Sequence, residues 1–394
     1  MTPAARISAA IVVLDQILAG APVDQSLTNW GRGNRFAGSG DRHAIRDLVF
    51  DALRCRRSHA ALGGGMTGPL MTGRALALGG LRAAGIDPAD LFTGEGHAPS
   101  PLRPDEVGRP PAGAEALDVP DWLEAPLQAA LGPDYQAVMQ AMRHRAPVFL
   151  RVNLARVSRD EALRLLAAEG IAAQAHDLVN TALQVTGNER KIQTSGPYLA
   201  GLVELQDAAS QAVVALLDLH PGARVLDYCA GGGGKTLAMA ACGVAPDAHD
   251  IRAARMKDLP ARAARAGARV RIVQDPARSA PYDVILVDAP CSGSGSWRRD
   301  PQGKWALTPE RLAELLRLQS DILDRCVPLL AAKGVLAYAT CSLLTQENEA
   351  QVQGFLARHS GFNAIATQRF TPLQGGDGFF AAMLTRDTPH TTQL

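Results

Sequence analysis

Two short motifs place nucleophiles at matched positions. Asp288-Ala289-Pro290-Cys291-Ser292-Gly293-Ser294-Gly295 is answered fifty residues later by Ala339-Thr340-Cys341-Ser342. Each cysteine follows a short apolar run, Val284-Ile285-Leu286-Val287-Asp288 or Val335-Leu336-Ala337-Tyr338, that reads as a strand. In open α/β sheets ligands gather beyond the carboxyl ends of the strands. Neighbouring strands lie about 5 Å apart, so two such thiols can face one substrate base. The chemistry on offer is covalent catalysis by an activated nucleophile. A thiolate added to carbon 6 of a cytosine makes carbon 5 enamine-like and able to attack a sulfonium methyl. The carbon 5 proton then leaves and the thiol is eliminated. Activation means raising the thiolate fraction. Asp288 is placed to hydrogen-bond the base edge and to stabilise charge on ring nitrogen 3.

The other cysteines invite a plainer reading, since cysteine is most often a small buried hydrophobe. Cys55, Cys242 and Cys326 fall in helical stretches, and Cys229 is expected beneath a glycine loop. No C-x-x-C pair or His cluster completes a zinc set, so no metal is expected.

That glycine loop is Asp227-Tyr228-Cys229-Ala230-Gly231-Gly232-Gly233-Gly234-Lys235-Thr236, directly after a strand-like run. Consecutive glycines between strand and helix let the backbone approach a ligand closely. Gly234-Lys235-Thr236 imitates the end of a P-loop, but a P-loop needs glycine where Cys229 stands. Asp250, 23 residues past Asp227, is expected at the end of the second strand. There an acid accepts from ribose hydroxyls of a dinucleotide or of S-adenosylmethionine, or else simply caps a helix. Asp275, after the third strand, stands where a side chain can meet an adenine, although Asp-Pro is also a common turn.

The elements that must position these residues alternate strand and helix from about residue 201, the signature of a mostly parallel sheet covered on both faces. Before the last of these strands a helix is expected with Thr308 as cap, Pro309 in its first turn and Gly334 after its end. Residues 146–205 read as a small α/β module: a strand at Val148–Val152, a helix capped by Ser158 and closed by Gly170, then two short strands. Residues 1–145 read as a helical domain. Its apolar stripes include Ile7, Ile11, Leu14, Leu18 and, later, Ile45, Leu48, Val49, Leu53; a Pro/Gly-rich connection occupies about 96–121. The remaining residues, 206–394, form the sheet domain. A length of 394 residues suits two or three domains.

Composition narrows the partners. A formal net charge of +1 excludes a whole-chain basic footprint, so contact with nucleic acid needs a local patch. Trp297-Arg298-Arg299 and Lys304-Trp305 interleave aromatic and basic residues after Cys291, as base stacking with phosphate contact requires. The alternative is that either Trp packs in a core. No apolar run approaches a bilayer span and no signal peptide is evident, so no membrane partner and a cytoplasmic location are expected.

Taken with their spacing, these motifs resemble the Nop/Sun family of RNA cytosine-5 methyltransferases, most of all its bacterial small-subunit rRNA branch. The resemblance rests on the glycine loop, Asp250 to Arg255, the Pro-Cys and Thr-Cys motifs, Gln206-Asp207-x-x-Ser210 and Asp377-Gly378-Phe379-Phe380. It implies a class I methyltransferase Rossmann-like sheet of order 3-2-1-4-5-7-6, with a NusB-like RNA-binding helical domain and a small RNA-recognition-like module. It implies S-adenosylmethionine as cofactor, bound by residues 227 and 229–235 with Asp250, Arg255, Asp275 and Asp288. Cys341 maps to the nucleophile, Cys291 to a group assisting product release, and Lys235 and Asp288 to polar active-site positions. The implied substrate is 16S rRNA before full subunit assembly, rather than tRNA, acted on by a monomer. The chain departs from the family in having Gly231-Gly232 where Ala-Pro is usual, a change that loosens the loop and removes no reacting group. Two rivals are weighed. DNA cytosine-5 methyltransferases use the Pro-Cys thiol and carry a Glu-Asn-Val that is absent here, so DNA is not expected. A non-catalytic RNA-binding or assembly factor would not need Cys341, Asp288 and Lys235.

Overall fold

The computed structural model describes residues 1–64 and 71–386, which cluster into two units. One comprises Met1–Arg145 with Trp297–Ala306, the other Ala146–Ser296 with Leu307–Leu394.

The first unit is helical: α1 (Pro3–Leu18), α2 (Val23–Gly33), α3 (Ser39–Arg54), α4 (Arg56–Leu62), α5 (Gly73–Ala83), α6 (Asp121–Leu131) and α7 (Tyr135–Met142). Thr2 caps α1 by accepting from the Ala5 amide, with Pro3 in the first turn. The core gathers Val13, Leu14, Ile45, Val49, Leu53 and Leu76. Leu48, expected on that face, is instead exposed. α4 and α5 pack so closely that a Cβ on Gly79 would collide with the His59 carbonyl and one on Gly63 with that of Ala75. Residues 96–121 form an irregular connection with one 3-10 turn, Gly113–Glu115.

The second unit opens with β1 (Val148–Val152), α8 (Arg159–Ala168), β2 (Ala172–Ala175), β3 (Ala182–Gly187), α9 (Gly196–Leu199) and β4 (Val203–Leu205). These strands form an antiparallel sheet of order β2-β3-β1-β4. Ser158 caps α8 through the Glu161 amide. There follow α10 (Ala208–Ala215), β5 (Val225–Asp227), α11 (Gly234–Ala240), β6 (Asp247–Ala248), α12 (Leu259–Ala266), β7 (Arg271–Ile272), β8 (Tyr282–Asp288), then α13 (Pro301–Ala306), which belongs to the first unit, and α14 (Pro309–Cys326), β9 (Leu330–Thr340), α15 (Glu349–Arg358), β10 (Phe362–Phe370) and β11 (Phe379–Arg386). The seven-stranded sheet runs β10-β11-β9-β8-β5-β6-β7. Counted from β5, that is 3-2-1-4-5-7-6. Pairs β5/β6, β6/β7, β5/β8 and β8/β9 are parallel, while β11 is antiparallel to both neighbours. Apolar clusters cover both faces, one around Val225, Leu286 and Met239, the other around Ile285, Leu323 and Phe355. That coverage explains why β8 and β9 read as continuous apolar runs.

Two sequence expectations need correcting here. α14 starts as expected, with Thr308 accepting from the Arg311 amide, but it ends at Cys326. Gly334 lies inside β9, where a Cβ would press on Leu330 and the Tyr282 carbonyl, so this glycine serves a close strand contact rather than a helix end. The segment Trp297–Ala306, expected with the sheet domain, clusters with the helical unit, where Trp305 Nε1 donates to Leu53 O (2.7 Å) and Lys304 Nζ to Arg54 O (3.1 Å). Trp297 and Arg298 are buried and Arg54 Nε donates to Arg298 O, so for these two residues packing overrides the expectation of base stacking and phosphate contact; Arg299 is exposed.

Candidate active site

The site lies at the carboxyl ends of β5, β8 and β9. After β5 the chain makes a tight loop: Ala230 N donates to His249 O, Gly231 N to the Asp250 carboxylate (3.0 Å), and α11 begins at Gly234. Gly231 and Gly233 have φ of +53° and +77°, a region that L side chains enter only at a cost, and a Cβ on Gly233 would strike the Leu259 side chain. Asp250 is buried and also accepts from Arg252 N (2.8 Å) and Arg255 Nη1 (3.1 Å). It therefore ties the loop after β6 to the glycine loop. Asp275 is about half exposed and caps a 3-10 turn through the Ala277 amide, with Arg278 at 3.4 Å.

Asp227 is buried at the end of β5 and accepts from Thr236 Oγ1 (2.6 Å), while its Oδ1 is enclosed with no protein partner. Burial above all, and then the negative charge of Asp288, pushes its carboxyl up to about 7, against the Thr236 hydrogen bond. Lys235 Nζ lies 2.7 Å from Asp288 Oδ2 and 4.9 Å from the centre of the Phe379 ring. Burial works against the ammonium, but Asp288 outweighs it and holds the lysine above its ordinary range.

The two cysteines meet. β8 and β9 are adjacent, with Asp288 opposite Ala339, and Cys291 Sγ lies 3.4 Å from Cys341 Sγ. Both thiols are free and partly buried. The hydrogen bond with Cys341, together with burial, lifts the Cys291 thiol well above its ordinary range.

Of the remaining cysteines, Cys55 and Cys326 are buried, with burial raising their thiols, as the hydrophobe reading expects. Cys229 is partly buried against the cluster around Ile285, and burial lifts its thiol as well. Cys242 departs from the reading: it sits in the turn after α11 and is exposed.

Two residues around the thiols, Glu347 and Asn348, were given no role from the sequence. Glu347 is fully buried and accepts from the Ser292 amide (2.8 Å), from Gln319 Nε2 (3.0 Å) and from the hydroxyls of Ser292 and Ser342. Asn348 donates to Ser342 O (2.9 Å) and accepts from Thr340 Oγ1. Gly378 N donates to Gly295 O (2.8 Å), and these two glycines pack without room for a Cβ. The only available signal was that Glu347-Asn348 follows Cys341 closely, and an acid beside an amide in a polar stretch reads as surface.

The sheet order, the glycine loop after its first strand and the acid after its second define a class I methyltransferase Rossmann-like fold. A family model described as 16S rRNA methyltransferase RsmB/F matches residues 214–393, and one for the ferredoxin-like domain of RsmF/B-like methyltransferases matches 119–191. Proteins named ribosomal RNA small subunit methyltransferase B from Serratia proteamaculans and Photorhabdus laumondii are 34% and 37% identical to this chain over 286 and 284 residues. Those alignments span 68% of this chain and 66% of each relative's length. The crystal structure of PH0851 shares the fold, with a TM-score of 0.77 at 24% identity over 98% of this chain and 99% of that one. The chain belongs to the RsmB/F family of methyltransferases, the Nop/Sun group that its motifs resemble.

The family's cofactor is S-adenosylmethionine, and the residues present fit it. The enclosed, unpartnered Asp227 Oδ1 offers an acceptor, and the glycine loop leaves backbone bare of side chains. No helix among the described residues is long and apolar enough to cross a membrane, and no His/Cys/Asp/Glu group among them could hold a metal ion.

Proposed function

We propose that this protein transfers a methyl group from S-adenosylmethionine to carbon 5 of a cytosine in 16S rRNA, with Cys341 as covalent nucleophile. The observation that carries the reading is the pair of free thiols 3.4 Å apart at the ends of adjacent parallel strands. Asp227, Cys229, Ala230, Gly231 to Gly234, Lys235, Asp250 and Arg255 would hold the cofactor. Asp275 joins them as an adenine contact and Asp288 borders the transferred group. When bound, the cofactor supplies an electrophilic methyl on a sulfonium sulfur.

The protein's part follows from its geometry. Cys341 Sγ, as thiolate, forms a bond to carbon 6 and pushes electron density onto carbon 5. Asp288, held by Lys235, accepts a hydrogen bond from the amino group of the base, and the Lys235 ammonium beside it balances the negative charge gathering at nitrogen 3. Carbon 5 takes the methyl group, leaving a neutral thioether behind; the carbon 5 proton then passes to solvent, and the electrons of that C–H bond expel the sulfur from carbon 6 and return the thiolate to Cys341. Cys291 stands beside that departing sulfur and assists release. The base must be turned out of any helix, at about a few kcal/mol, so a loop or bulge cytosine on incompletely assembled rRNA is the expected target. The helical unit and the four-stranded module are proposed to bind RNA around it.

The test is methyl transfer from labelled cofactor to unmodified small-subunit rRNA, with nucleoside analysis. Wild type should yield 5-methylcytidine and Cys341→Ala none, while Cys291→Ala should accumulate a protein–RNA adduct that survives denaturation. An active Cys341→Ala protein would overturn the mechanism, and an unlabelled product from wild type would overturn the substrate.

A further inference from the structure

Each thiol is followed by a serine, and one carboxylate reaches both serines. Oε1 of Glu347 accepts from the Ser292 amide and Gln319 Nε2, and Oε2 accepts from the hydroxyls of Ser292 and Ser342, each at 2.5 Å. Ser292 adjoins Cys291 in the loop after β8, and Ser342 adjoins Cys341 in the loop after β9. Glu347 is itself pinned: Tyr338 OH donates to its carbonyl (2.6 Å), and Asn348 bonds Thr340 and Ser342. Four donors converge on two oxygens, and an ionised carboxylate can accept from all of them, whereas a protonated one would have to donate to one. Hydrogen bonds to a charged acceptor are shorter and stronger than neutral ones, so the bridge resists stretching.

The geometry points to Glu347 as a positioning residue that sets the separation of the two thiols and, by gripping the Cys291 loop through both the amide and the hydroxyl of Ser292, leaves Cys341 the more reactive of the two. This inference rests on the proposed mechanism for its purpose but not for its test. A fixed negative charge in a buried site disfavours a second one nearby. The thiol of Cys291 is lifted by its hydrogen bond with Cys341, by burial, and then by the charges of Cys341 and Glu347. A covalent mechanism with one nucleophile and one release group needs such a distinction between two chemically identical side chains.

The experiment is competitive alkylation by iodoacetamide at pH 8, with the rates at Cys341 and Cys291 read by peptide mass spectrometry. It needs no RNA, so its failure is separate from failure of the methylation reading. Wild type should be modified at Cys341 first. In Glu347→Gln, which keeps the shape and removes the charge behind that grip, the ratio of the two rates should fall about tenfold, the effect of one pKa unit on a thiolate fraction. A ratio unchanged in a variant that keeps a cooperative thermal transition would overturn the proposal. If that variant does not fold, Ser292→Ala decides: freeing the Cys291 loop from the bridge should speed its alkylation several-fold, and wild-type behaviour would overturn the idea.

Discussion

Replacing Lys235 with Met tests the electrostatic core of the site. The lysine side chain is 9% exposed and lies 2.7 Å from Asp288, whose side chain is 31% exposed. Deleting one partner of a fully buried pair costs about 3–5 kcal/mol, while exposed pairs are worth at most about 1 kcal/mol. With one partner buried and water reaching the other, about 2 kcal/mol is expected. Loss of the ammonium over the Phe379 ring adds about 1 kcal/mol. Met fills the space of the lysine stem, so little of the loss is packing. Urea unfolding at unchanged m should therefore show a total of about 3 kcal/mol. Asp227 sharpens the expectation. Its carboxyl is raised to about 7 chiefly by burial and lowered by Lys235, so without the lysine its charge is harder to bear and the loss should be larger at pH 8 than at pH 6. In Lys235→Met/Asp288→Asn no orphan charge remains, and about 1–2 kcal/mol of coupling should appear in the double-mutant cycle. A loss below about 0.5 kcal/mol in the single variant, or simple additivity in the double, would refute this account of the pair.

Two further outcomes concern Asp227 and the glycine loop. Because the folded carboxyl of Asp227 titrates near 7 and its ordinary value is 3.8, the native protein holds a proton that the unfolded chain has lost between those values. Stability should thus fall as pH rises from about 4 to about 7 and level off above, and Asp227→Asn should flatten that fall; parallel wild-type and variant curves would contradict it. Gly233→Ala forces an L residue to φ +77° against Leu259, at about 1–2 kcal/mol of strain, and should weaken S-adenosylmethionine binding measured by calorimetry. Unchanged affinity would show that the loop does not need this conformation.

What could be read from the sequence was whatever lies contiguous in it. The glycine loop and both cysteine motifs are local strings whose strands, β5, β8 and β9, are apolar on both sides, so period and position were plain. β6 and β7 are two residues each, too short for any periodicity; the run Val270-Arg271-Ile272-Val273 marks β7, while β6 was hinted at only by Asp250 after it. Glu347 was invisible because its burial depends on donors drawn from two loops and from Gln319 on α14. Arg298 misled for the converse reason: a basic residue between aromatics reads as surface, yet it is buried with its carbonyl accepting from Arg54. Cys242 shows that lying near a helix end says little about which way a thiol points.

The excursion of Trp297–Ala306 into the helical unit bears on how this chain can be divided. A fragment of residues 1–145 would leave the carbonyls of Leu53 and Arg54 without the donors that Trp305 and Lys304 bring them. A fragment from residue 146 onward would carry Trp297 and Trp305 without the helices that cover them. The chain crosses between its units three times, so the helical unit cannot be finished until four strands of the seven-stranded sheet have been synthesised. A faithful excision of the helical part would need α13 grafted back onto residue 145.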